Sequence, residues 1–314
     1  MSSRSKLGRL SVSAFGPGSD TTPGATQLLF AEWDHGCSKL NMDAGDVTGG
    51  HGSLDHAVEH VVKNQILARP NGLVRPSVGE WRHWLPWILN HNATDSDGGS
   101  GQAYTFVPTD TMLLRNVHFD TDASRRCFLA AGCGVASADI RCESKGPVEL
   151  DVRLEGRTYT EAVAFSATPA DAVNYTGRFV HAQQAVVLNS VTPTYCRSSR
   201  IVIDNGVDND RFFYGLASAG PIMTDRRIGV ELTIPFGLHS ALWDAGIADA
   251  GVPLTIAYSY GGASMTFTFA TVRANAESFR SVVPREDFFT FRAMCLKKFA
   301  ATSTPAVSCA LVIP

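Results

Sequence analysis

From Tyr104 onward the chain is written in twos. In VELDVRLE (148–155), Val148, Leu150, Val152 and Leu154 fall on one side of an extended backbone. Glu149, Asp151, Arg153 and Glu155 fall on the other. RRIGVELTIPF (226–236) repeats the pattern, with Ile228, Val230, Leu232 and Ile234 set against Glu231 and Thr233. Such alternation marks a strand with one face in a core and one in water, here a mostly acidic wet face on 148–155. YTFVP, LLRNVHFD, CFLAAGCGVASADIRCE, QAVVLNSV, SRIVIDN, LTIAYSY, SMTFTFATV, FFTFRAMCLKKF and AVSCALVIP read in the same way, and TQLLFAEWD (26–34) gives an earlier strand. The glycines of GCGVAS (132–137) interrupt one of these runs and read as a bulge. The chain is therefore mainly β.

Helices are few. In SVGEWRHWLPWILN (77–90), Ser77 and Glu80 stand three apart as in a capping box, and Trp81, Trp84, Leu85 and Ile88 make one apolar face. Pro86 falls late enough to kink or tighten the end. GLHSALWDAGIADAG (237–251) reads as a second short amphipathic helix, over 238–248, stopped by glycine. HGSLDHAVEHVVKNQIL (51–67) mixes helix formers with period-two alternation and is taken as a long strand.

The order of elements repeats: strands, a Trp-bearing helix, strands, and then the same again. Two β-sandwich-like or β-barrel-like units with one flanking helix each are expected, over 26–165 and 183–314. The polar stretch SATPADAVNYTGR lies within an expected linker, 166–182, and the Ser-, Gly-, Thr- and Pro-rich residues 1–25 are expected to be a mobile arm.

Charge and cysteine content narrow the function classes. The formal net charge is -3 and charged residues are 18% of 314, so no basic excess exists to wrap nucleic acid tightly. No apolar run is long enough to span a bilayer and none of signal-peptide length opens the chain, so a membrane anchor is not expected. The seven cysteines are irregularly spaced without a CxxC pair, which reads as buried thiols in a reducing compartment.

Candidate chemistry is sparse. His51, His56 and His60 cluster with Asp55 and Glu59, but the HExxH order is missing and on a strand they are too far apart for a tight metal pair. DNGVDND (204–210) places Asp204, Asp208 and Asp210 at offsets that do not fit an EF-hand, and its flanks are strands. GxSxG, P-loop and strand–GxGxxG–helix signatures are absent. Nothing selects Cys133 as a nucleophile, and the pair Glu149 and Asp151 lies on an open strand face, where carboxylates are solvated. No catalytic residue, metal or cofactor is expected.

Between the strands SSRIVID and RRIGVELTIPF lie about twenty residues rich in Asn, Asp, Gly and aromatics, a length that is uncommon in a compact domain unless it has a function. The phrases SSRIVIDNGV and DRRIGVELTIPF resemble those of the tail tube (major tail) proteins of long-tailed bacteriophages. Ile203, Asp204, Asn205, Arg226, Arg227, Gly229, Glu231 and Leu232 carry the match, and SVGEWRHWLPWIL is similar to the family's helix. The resemblance spans roughly residues 50–300 and is of the duplicated-fold type.

It implies a structural, non-enzymatic virion protein. The subunits' inner sheets would join around a channel, the rings would be trimeric and pseudo-hexameric or else hexameric, and they would stack into a tube for genome ejection. Tape-measure, tail-terminator and distal tail proteins would be partners, and double-stranded DNA would pass without specific binding. Assembly would take place in the host cytoplasm, and a sheathless tail is favoured over a contractile one. The long loop would reach the neighbouring ring through Asp208, Phe212, Phe213, Tyr214, Leu216 and Met223, while Glu149, Asp151 and Glu155 would line the lumen. Another virion β-protein (tail-completion, decoration or spike), or a β-sandwich enzyme or carbohydrate-binding module, remains the alternative.

Overall fold

The computed structural model describes residues 9–14, 26–28, 32–34, 37–43, 61–91, 102–120, 127–161, 177–193, 195–209, 220–235, 251–274, 288–295 and 305–313. The expected helix at 238–248, the histidines 51, 56 and 60, and the aromatics 212–214 lie outside them.

In chain order the elements are β1 (Arg9–Ala14), β2 (Thr26–Leu28), β3 (Glu32–Asp34), β4 (Cys37–Asp43), β5 (Val61–Ala68), β6 (Asn71–Val74) and α1 (Trp81–Ile88). There follow β7 (Gln102–Phe106), β8 (Arg115–Asp120), β9 (Cys127–Glu143), β10 (Val148–Glu155), β11 (Thr158–Glu161) and β12 (Gln184–Leu188). Next come β13 (Ser198–Asp204), β14 (Val207–Asp208), β15 (Ile222–Met223) and β16 (Arg227–Pro235). The last are β17 (Val252–Tyr260), β18 (Ala263–Ala274), β19 (Phe288–Cys295) and β20 (Ser308–Ile313).

The protein is mainly β, as the alternation requires. The main sheet runs in the order β12-β17-β18-β19-β16-β13-β9-β10-β6-β3, with β1, β2, β7, β8, β11 and β20 attached beside this path. Among the described residues, strands of the two expected units pair in two places: β9 with β13, and β20 with β7. One contiguous apolar core therefore takes residues from both, among them Val148, Leu150, Val152 and Leu154 of β10 and Ile228, Val230, Leu232 and Ile234 of β16.

The long strand β9 belongs to two neighbourhoods. Its first half pairs with β8 and β11, and its second half with β10 and β13. The change falls at the glycines that read as a bulge. The register slips against β8 between Arg115 and Val117, and against β10 between Arg153 and Leu154. Gly132 takes a φ of 62°, a left-handed conformation that a side chain would strain.

Residues 9–14 lie within the stretch 1–25 expected to be a mobile arm. They form β1, paired to both β2 and β8, with Leu10 and Val12 buried. Ser11 between them is buried as well, so the serines that read as a polar arm do not mark a solvated face. Of the expected strand 26–34, the described residues fall in two strands with different partners: β2 pairs with β1, and β3 pairs with β6.

Helix α1 is the wedge in the core. Trp81, Trp84 and Trp87 are all fully buried, with Trp84 and Trp87 stacked at 5.7 Å and Trp87 Nε1 donating to the Cys133 carbonyl at 3.2 Å. Burying one such ring contributes about 2–3 kcal/mol. The helix starts later than the capping box implied. Residues 78–80 form a turn, and the Glu80 carboxylate accepts from the Ser77 N–H at 2.6 Å and from its hydroxyl at 2.8 Å. Only the carboxylate-to-backbone half of the box is made. At the other end Asn90 has a φ of 54°, and the His91 N–H donates to the Pro86 carbonyl at 2.7 Å. That is a Schellman ending with asparagine in the left-handed position.

Candidate assembly surfaces

Two polar regions stand out among the described residues: the wet face of the central strands, and the base of the long loop.

On the wet face, register pairs place Glu149, Arg141, Arg200, Glu231 and Arg292 in one row across β10, β9, β13, β16 and β19. The next row holds Asp151, Asp139, Val202 and Gly229, and the one beyond it Arg153, Ser137, Asp204 and Arg227. Arg75 donates to Glu149 at 2.7 Å, and Arg141 does so at 3.3 Å. The Arg200 fork closes on Asp139 at 2.7–2.9 Å, and this raises the guanidinium's affinity for its proton. The face is charge-balanced: arginines from neighbouring strands answer the acids of β10.

Glu155 does not share that face. It lies at the end of β10, 7% exposed, where Arg69 donates to it at 3.1 Å and Asn209 Nδ2 at 3.3 Å. The loop base closes over it, which the alternation along β10 alone does not reveal. Of the acids expected together in water, Glu149 is half-buried and paired, Asp151 is exposed and Glu155 is buried.

The loop base is built from the residues that carried the resemblance. Asn205, fully buried, uses its N–H and both ends of its side-chain amide. Its N–H donates to the Ala136 carbonyl at 2.8 Å, at the β9 irregularity. Its Nδ2 donates to Val135 at 2.9 Å and to Ile88, at the end of α1, at 3.2 Å. Its Oδ1 accepts from Arg226 Nε at 2.8 Å. Arg226 also donates to the Thr109 carbonyl at 2.8 Å and contacts Met223 Sδ at 2.9 Å. Burial lowers its affinity for the proton, with Asp110 acting the other way.

Between these two residues, β14 pairs with β15, and the Thr224 N–H donates to the Gly206 carbonyl at 3.0 Å. The Gly206 N–H donates in turn to Asp204 at 2.9 Å. Gly206 takes a φ of 53°, and a Cβ there would collide with the Asp225 carbonyl oxygen, so glycine is required. Asn209, 6% exposed, donates to the Gly156 carbonyl at 3.0 Å and to Glu155. Of the loop candidates, Asp208 is exposed on this stalk and Met223 is half-buried within it; Phe212, Phe213, Tyr214 and Leu216 lie outside the described residues.

Other motif residues are structural. Ile203 and Leu232 are buried in the core, and Glu231 sits in the charged row. Cys133 is buried, and its thiol is pushed well above its ordinary value. Burial also raises Cys142 to about 12 and Cys196 to about 11. Among the described residues, no group of three or more His, Cys, Asp or Glu could hold a metal ion, and no helix is long and apolar enough to cross a membrane.

No curated protein matches the chain. A family model described as "Phage tail tube protein" matches residues 18–305, nearly the whole length, and the chain belongs to that family.

Proposed function

We propose that this chain is the repeating subunit of the tail tube, that copies join edge to edge into rings, that rings stack, and that the genome leaves through the channel they enclose. The family is one of structural tail proteins rather than of enzymes, so the chain is a component of the virion tail and assembles with other tail proteins.

The observation that carries the reading is the β9–β13 ladder. Its seven register pairs, from Ser198↔Glu143 to Asp204↔Ser137, join the halves of one chain as neighbouring copies would join in a ring. The path of the main sheet ends at β3 and at β12. On β12 and just after it stand Val187, Val191 and Tyr195, 36%, 42% and 51% exposed. A sheet end flanked by apolar side chains is an aggregation hazard in a monomer and a joint in an assembly. Head-to-tail joining closes into a ring when the rotation allows it.

Units over 26–165 and 183–314, linked by 166–182, fit three chains per ring, with six as the other possibility. Glu149 and Asp151 with their arginine neighbours are the face assigned to the lumen; Glu155 is withdrawn from it because it is buried. A charge-balanced wall lets phosphates slide without a grip. The loop carried by β14 and β15 reaches the next ring, with Phe212, Phe213, Tyr214 and Leu216 as anchors beside Asp208 and Met223. Tape-measure, terminator and distal tail proteins would cap the polymer, assembled in the host cytoplasm.

Negative-stain electron microscopy of the purified chain, with tail initiators added, tests this. Hollow tubes with an axial repeat are expected, and end-on views give the symmetry. Deleting 208–222 should leave a folded subunit that does not stack; full-length tubes from that variant would remove the loop from the inter-ring contact.

A further inference from the structure

The loop base is bolted on both of its sides. On the outgoing side, Asn205 binds the end of α1 and the irregular part of β9, and Asn209 binds Gly156 and Glu155. On the returning side, Arg226 reaches back to Asn205 and across to Thr109, over Met223. Thr109 is itself held: its N–H donates to the Leu89 carbonyl at 3.3 Å, and its hydroxyl donates to the Asn90 carbonyl. Asn90 Oδ1 accepts from the Leu113 N–H at 3.1 Å. The ending of α1, the segment 107–113 and both strands of the stalk thus share one hydrogen-bonded cluster.

Among the described residues Arg226 is held there by neutral groups, an amide oxygen, a backbone carbonyl and a thioether, and not by a hydrogen-bonded carboxylate. A partly buried cation with such partners owes its place to geometry. A planar fork satisfies two acceptors in fixed directions, which a lysine ammonium does not reproduce.

We propose that Asn205 and Arg226 are positioning residues that clamp the β14–β15 stalk to α1 and β9, and so fix the direction in which the 209–220 loop leaves the sheet. What the loop is aimed at rests on the inter-ring reading above; the clamp itself does not. A contact that must be made at a distance from the core costs less when the chain leaves already aligned.

The test uses the full chain, unassembled, with Arg226→Gln, Arg226→Lys and Asn205→Asp. Hydrogen exchange by mass spectrometry follows peptides across 204–226, with 252–272 of β17 and β18 as the internal reference. In Arg226→Gln, exchange at the stalk amides should rise at least about tenfold while 252–272 keeps its protection, since local openings are separable from global ones. Arg226→Lys should recover less than half of that loss. Tube elongation from preformed seeds should slow in the same order.

Stalk exchange equal to wild type in Arg226→Gln overturns the clamp, as does an equal rise in 252–272. Should Arg226→Gln fail to fold, Arg226→Lys and Asn205→Asp decide on the same peptides. Asn205→Asp keeps the acceptor for Arg226 and removes the donors to Ile88 and Val135, so stalk protection unchanged in both overturns it equally. A loosened stalk with elongation at the wild-type rate leaves the clamp standing and removes the loop from inter-ring docking.

Discussion

The wet face of β10, β9, β13 and β16 and the base of the long loop are both polar, and both draw on residues of the same two motif phrases. Their energetics are opposite. On the face, side chains such as Arg200 and Arg75 remain about half exposed, and each ion pair competes with water. At the base, Asn205 is fully buried and Asn209 nearly so, and their partners are backbone carbonyls that water does not reach once the clamp is shut. A buried polar group is neutral in value while satisfied and costly when orphaned. The face can therefore drift in sequence with little effect on the fold, whereas the base cannot.

Asn205→Ala should open the widest gap between the two regions. It removes the Asn205 partner from the carbonyls of Ile88 and Val135 and from the Arg226 Nε–H. Each orphaned group costs about 1–3 kcal/mol, and relaxation recovers some of the sum, so a loss of about 3 kcal/mol is expected. Chemical denaturation of the unassembled subunit reads it; a loss below about 1 kcal/mol would place the cluster with the surface pairs.

The alternation made the β class, most of the strands and the core faces of β10 and β16 legible in advance. The helix was legible too, because Trp81, Trp84, Leu85 and Ile88 at helical spacing leave few other readings. What was not legible is mostly a matter of distance along the chain. Asn205 finds Val135 seventy residues away and Ile88 one hundred and seventeen away, and Arg226 finds Thr109 at the same separation of one hundred and seventeen. No local pattern encodes such partners, although Asn205 and Arg226 are two of the eight residues that carried the resemblance. The burial of Glu155 was hidden for the same reason, since Asn209 and Arg69 cover it from elsewhere. In β1 the obstacle was local: Ser11 and Ser13 made a strand resemble a polar arm.

A second contrast can be drawn with pH. His83, next to the buried face of α1, accepts from Arg82 Nε through its Nε2 at 3.2 Å. Burial first, and then the charges of Arg82 and Arg115, lower its pKa from 6.5 to about 3. The folded state thus keeps the ring neutral where the unfolded chain protonates it. Stability from this group is complete above about pH 6.5 and falls as pH drops towards about 3, by at most about 1.4 kcal/mol per pH unit. Denaturant midpoints measured between pH 7 and pH 4 should fall with that slope, and His83→Gln should flatten it. A slope unchanged by the substitution would assign the acid sensitivity to other groups.

The smallest effect belongs to the face. Arg200→Ala removes the fork on Asp139, an ion pair of 2.7 Å in the charged rows. Its geometry is good, yet half of the arginine is in water and the carboxylate keeps access to solvent, so the expected change in stability is below about 1 kcal/mol. What should change is the field. Asp139 stands opposite Asp151 in register, and without Arg200 the two acids share one side of the sheet with less compensation. If this face lines the channel, tubes of the variant should form at the wild-type rate while their lumen repels polyanions more strongly at low salt, an effect that shrinks as salt shortens the screening length. Measuring the salt dependence of DNA release from tails assembled with Arg200→Ala subunits isolates that term. Release indistinguishable from wild type at every salt concentration would move the wet face away from the DNA path, and would leave the loop base as the region whose chemistry matters to the assembled tail.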